Sequence, residues 1–425
     1  MKKSSTTLLL LLAFTFAFAQ DADKGLVYKD SVYLDNIKSV KFHPRSAVTS
    51  TPIIDIESGG QLSLIFDDLD EEVKDYIYTF QHCDYDWKPS TKITDMNYIE
   101  GFNEDDIDEY DFSFNTLTNY TNYQLLIPNQ DIRWTKSGNY LLKVYDITDD
   151  KKLAITRRFM VVDPLVRILP SISYPSNVSK GRTHHEIDFM IDHKGFEIRN
   201  PQIAIKVVIM QNGRWDNAIK NLPPLFVKQE QIIYDYQDKI TFPAGKEFRF
   251  ADLRTFQYKT QTVGEIYESR DGIDVTLIPD RSRIDKGYLS DNDINGQFII
   301  ESLEERDYNL RSDYASVLFT LKEGSPFREA DVYLYGSMTD WDLKEEFKMV
   351  YNDLINAYVT KAFLKQGFYN YVYAVVDRKD KSIDLEELEG NWYETENDYT
   401  ILVYYTPFGG RYDQLISAYT INSVD

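Results

Sequence analysis

The chain contains a single cysteine, Cys83. One thiol forms no internal disulfide, so stability has to come from packed cores. Paired-cysteine metal and redox motifs are excluded for the same reason. Positive charge is also scarce. Lys and Arg number 47 against 69 Asp and Glu, a formal net charge of −22. Such a chain repels phosphate backbones and anionic lipid surfaces, so neither nucleic acid nor direct membrane insertion is expected. After the N-terminal residues, no apolar run approaches the length that spans a bilayer. GxSxG, HExxH and phosphate-cradling glycine loops are missing. No residue pattern therefore asks for catalysis or for a cofactor.

At the N-terminus, Lys2 and Lys3 precede "LLLLLAFTFAFAQ" (8–20). A basic start, a short apolar run and the small-x-small end Ala17-Phe18-Ala19 predict a secretory signal peptide over 1–19, cut before Gln20. No cysteine follows that run, so no lipid anchor is expected. Cleavage removes Lys2 and Lys3, taking the net charge from −22 to −22 − 2 = −24.

Aromatic residues are abundant, with 32 Tyr and 24 Phe against 7 Met. They suit pleated, half-buried surfaces. Apolar and polar residues alternate in "QLSLIF" (61–66), "DYIYTFQHC" (75–83), "NYLLKVYD" (139–146), "EIDFMID" (186–192), "ASVLFTLK" (315–322) and "YTILVYYTP" (399–407). Short Gly- and Asn-bearing turns separate such segments. The expected fold class is all-β, with tandem antiparallel β-sandwiches of immunoglobulin-like or early-set-like type. Three β domains are expected, at 20–163, 164–312 and 313–425.

Four stretches invite a chemical reading. "FQHCDYDWKPS" (80–90) holds His82 and Cys83, but adjacent strand side chains point to opposite faces. The expectation is a strand ending in a turn, with Asp84 and Asp86 bonding backbone amides and Trp87 covering the core edge. "HHEIDFMIDH" (184–193) offers His184, Glu186, Asp188 and Asp192 to a metal, although alternation alone explains them as a solvated face. "DNDINGQFIIES" (291–302) opens like a calcium loop at Asp291, Asp293 and Asn295, with Gly296 at the turn. A closing glutamate is missing, because Ser302 holds the twelfth position and Glu301 comes one residue early. Trp341, in "VYLYGSMTDWD" (332–342), is the fourth.

Read in order, "YTFQHCDYDWKPS", "YIEGF" (98–102), "SFNTLTNYTNYQLLIPN" (113–129) and "SGNYLLKVYD" (137–146) resemble the N-terminal domain of type 9 secretion system plug proteins. The resemblance continues through "GKEFRFADLRT" (245–255), "LKQGFYNY" (364–371) and "EGNWYETENDYTILVYYTP" (389–407). It implies a non-enzymatic periplasmic protein that binds the outer-membrane β-barrel translocon and seals its pore when no substrate is passing. It carries over no interface residue. The last domain also resembles early-set glycogen-binding modules, in which Trp341 matches one sugar-stacking aromatic. "RKDKS" (378–382) stands where the second stacking tryptophan belongs. A glucan-binding protein is therefore the alternative expectation.

Overall fold

A computed structural model describes residues 23–148 and 150–424. The expected signal peptide lies outside the described residues. Strands dominate, and no described helix exceeds four residues. The all-β expectation agrees with the structure. Among the described residues no helix is long and apolar enough to cross a membrane.

The first module is a sandwich. One sheet is led by the long antiparallel strands Tyr76–Cys83, Gly138–Asp146 and Lys152–Val162. The other runs in the order Ile37–Pro44, Leu62–Asp68, Thr121–Ile127, Glu109–Phe112. Period-two alternation turns Tyr76, Tyr78, Phe80, Tyr140 and Leu142 onto Leu64, Phe66 and Tyr123 in one core.

The expected boundary at 312/313 does not hold. Gly272–Leu277 pairs in parallel with Tyr314–Lys322, directly across it. Ile205–Gln211 finds its partner in Asp398–Tyr405, which in turn pairs with Gln414–Asn422. The second sandwich thus draws its core from two separated stretches, with Ile187, Phe189, Val207 and Ile209 against Tyr399, Ile401, Val403 and Ile416. The third module is inserted within it. There one continuous sheet runs from Arg249–Asp252 through Gly367–Asp377 and Tyr314–Lys322 to Val263–Ser269, enclosing one large core, with a smaller buried cluster around Phe248, Tyr335 and Val372 on its other face. Alternation locates strands but does not name their partners, which is why the linear division failed.

Buried contacts weld the modules together. Asp67 of the first and Lys365 of the third form an ion pair at 2.6 Å, each side chain 1% exposed. Tyr314 donates its hydroxyl proton to the same carboxylate at 2.6 Å, and Asn122 donates to its other oxygen at 2.7 Å. Every strong polar group in this cluster has a partner, the condition for tolerating buried charge. Cys83, Trp87, Leu141 and Met160 of the first module share a separate apolar cluster with Val208, Met210, Leu402, Tyr404 and Leu415 of the second.

Candidate functional site

His82 and Cys83 diverge as the strand geometry requires. His82 sits in the first core against Tyr98 and Tyr140. Cys83 faces the second module. Burial pushes the Cys83 thiol up to about 12, with nearby Asp84 adding to the effect, so it carries no thiolate at neutral pH. The Ser90 hydroxyl lies 2.8 Å from His82 Nδ1 and 3.0 Å from the Asp84 carboxylate. Nucleophile activation needs the histidine between acid and hydroxyl. Here the hydroxyl is in the middle, and Ser90 and His82 are both buried.

The turn itself differs from expectation. The Asp84 side chain accepts from Ser90 Oγ and that of Asp86 pairs with Lys88, rather than either bonding a backbone amide. Trp87 does not cap its own core. It meets Trp215 of the second module edge-on, with ring centroids 4.9 Å apart, and Arg158 lies over it. Tyr85 N–H donates to Asp413 at 3.1 Å. This stretch is a knob that seats the first module on the second.

In the calcium-like turn both Asp293 oxygens are in use, whereas Asn295 Oδ1 is buried without a hydrogen-bond partner among the described residues. Asp293 accepts from Asn295 N–H at 2.8 Å and from Phe248 N–H. Burial pushes the Asp293 carboxyl up to about 7, with Glu247 and Glu396 adding repulsion. Asn295 turns its amide protons to Glu396 and Asp398. Asp291 lies exposed and accepts from Asn292 N–H. Gly296, at φ +76°, leaves room for Trp341, whose ring would be 2.4 Å from a Cβ there. Trp341 meets Tyr335 and Phe248 edge-on at 5.4 and 5.9 Å, and Arg214 lies 4.6 Å over its ring. Its aromatic surface is engaged inside the junction between modules. In the 184–192 strand, Glu186 departs from the expected solvated face. It is buried and accepts from the Ser176 N–H and hydroxyl. Among the described residues no group of three or more His, Cys, Asp or Glu side chains is arranged to hold a metal ion.

What the internal networks leave over is a surface. From Glu100 to Asp111 the sequence holds seven acids and no Lys or Arg. Glu100 is paired with Arg133 and Glu104 with Lys151, while Asp105 accepts from Tyr78. No ion pair engages Asp106, Asp108, Glu109 or Asp111 among the described residues. Interleaved with them are exposed aromatics: Phe102, Tyr110, Phe112 and Phe114. They surround the short strand Glu109–Phe112, all four of whose residues are exposed. Sequence alternation did not single this strand out, because acids are poor strand formers and masked its aromatic half.

Residues 37–163 match the family model of the type 9 secretion system plug protein first domain. A crystal structure of a hypothetical protein from Parabacteroides merdae is similar throughout. It is 34% identical, with a TM-score of 0.89, over 93% of this chain and 100% of that one. No curated protein matches the chain.

Proposed function

Because this chain belongs to the type 9 secretion system plug protein family, we propose that it is a non-enzymatic periplasmic plug. It binds the outer-membrane β-barrel translocon of that system and occludes its pore while no substrate is passing. The match of its first module to a domain named for plugging carries this reading. A plug acts by volume and by a docking face, so it needs a body that does not yield. The buried Asp67–Lys365 weld and the apolar cluster around Trp87 suit that demand.

Deleting the protein should leave the outer membrane more permeable to a large solute such as vancomycin, but only in cells that contain the barrel. Removing the barrel as well should restore the seal. The wild-type chain should rescue the single deletion, and so should Trp341→Ala if the third module keeps its fold. Unchanged uptake in the single deletion, with the barrel present and open, would count against the plug.

A further inference from the structure

The strand Glu109–Phe112 lies at the open edge of its sheet, and among the described residues no strand covers its far side. Its backbone direction follows from one bond. Ser113 N–H donates to Tyr120 O at 2.9 Å, inward across the ladder. In an antiparallel pair, inward and outward positions alternate. Glu109 and Asp111 therefore bond inward to Gln124 and Asn122, their register partners. The backbone groups of Tyr110 and Phe112 face away from the sheet. The next outward position is Phe114, and its N–H is already taken, by Leu310 O of the third module at 2.9 Å. The edge is thus extended at one end by another segment and left open at the other.

The side chains alternate as well. Tyr110 and Phe112 share one face, with ring centroids 6.2 Å apart, and Tyr110 leans on the core residue Tyr123 at 5.6 Å. Glu109 and Asp111 share the other. Exposed edges are commonly guarded by charge against unwanted pairing. That accounts for the two acids. It does not account for Tyr110 at 40%, Phe112 at 56% and Phe114 at 61% exposed on the same short segment.

We propose that this edge accepts an extended segment of the translocon by strand addition. The inference rests on the plug reading. The occupant continues the pairing that Leu310 begins, and its backbone meets Tyr110 and Phe112. Charge and face fix its pattern: lysine or arginine beside Glu109 and Asp111, alternating with apolar side chains over Tyr110 and Phe112.

The test measures affinity of the full chain for the purified translocon barrel. Phe112→Pro removes an outward N–H and leaves the inward ladder intact, whereas Phe112→Ala removes only the ring. Affinity should fall at least tenfold further for Phe112→Pro than for Phe112→Ala. Joint Glu109→Lys and Asp111→Lys should also weaken binding at least tenfold. Hydrogen exchange on the wild-type complex keeps the test independent of variant folding, since the Tyr110 and Phe112 amides should gain protection when the barrel is added. If the wild type binds while all variants bind equally and neither amide is protected, the edge is not the dock, and the plug reading survives. If the wild type does not bind the barrel at all, the docking reading and this inference both fall.

Discussion

His82 is a base that its surroundings keep neutral. Burial lowers its pKa to about 4, although the Ser137 carbonyl and Asp413 pull the other way. In the unfolded chain a histidine protonates near 6.5. Between these values the unfolded state holds a proton that the folded state does not, so stability falls as pH falls from about 6.5 to about 4 and levels off below. The span corresponds to roughly 3 kcal/mol. Asp293 acts in the opposite sense, because its raised pKa means the folded chain takes up a proton first as pH drops. The His82 contribution is therefore read by difference. The stability of wild type minus that of His82→Gln should shrink by about 3 kcal/mol between pH 7 and pH 4 in urea titrations. Parallel curves would refute it. At Asp67 the effect is one of pairing. Burial depresses the Lys365 pKa, and Asp67 opposes that shift. Asp67→Ala strands the ammonium, at a cost of about 3–5 kcal/mol. The joint change of Asp67→Leu and Lys365→Met should recover most of that loss in the denaturation midpoint.

At the scale of strands, the second module depends on residues near the end of the chain. A chain ending after Gly390 lacks Asp398–Tyr405 and Gln414–Asn422, the strands that complete its second sheet. Ile205–Gln211 would keep only the two-residue strand Ile219–Lys220, and Val207 and Ile209 would lose their cover. Such a chain should lose protease resistance across 166–243, while the first module, whose core lies within 37–161, resists digestion. Protection of both would overturn the nested arrangement. The strands themselves were legible: alternation in "DYIYTFQHC" and "YTILVYYTP" marks Tyr76–Cys83 and Asp398–Tyr405 within a residue or two. Their partners were not, because pairing between positions some two hundred residues apart leaves no local signature. The same limit hid the role of Trp87. Its sequence context shows a turn, but only the third dimension brings Trp215 against it. Glu109–Phe112 was missed for a different reason, since its aromatic period is interrupted by acids that favour solvent.

For the whole molecule, net charge is the property that acts at a distance. The formal charge, −22 for the full sequence and −24 once the expected signal peptide is removed, creates a field well beyond any single contact. If the rim it approaches is basic, as the docking pattern requires, that field speeds encounter and orients it more than it tightens the final complex. Salt separates the two effects. The Debye length shrinks from about 10 Å at 0.1 M to about 3 Å at 1 M, so long-range steering fades while contacts in the seated complex are screened far less. Association of the full chain with the purified barrel should therefore slow as ionic strength rises, with a smaller change in the dissociation rate. Stopped-flow mixing at several salt concentrations reads both constants. Joint Glu109→Lys and Asp111→Lys should flatten the salt dependence only in part, because those two acids carry a minor share of the total charge. An on-rate indifferent to salt would refute steering and leave occlusion to rest on shape and strand pairing alone.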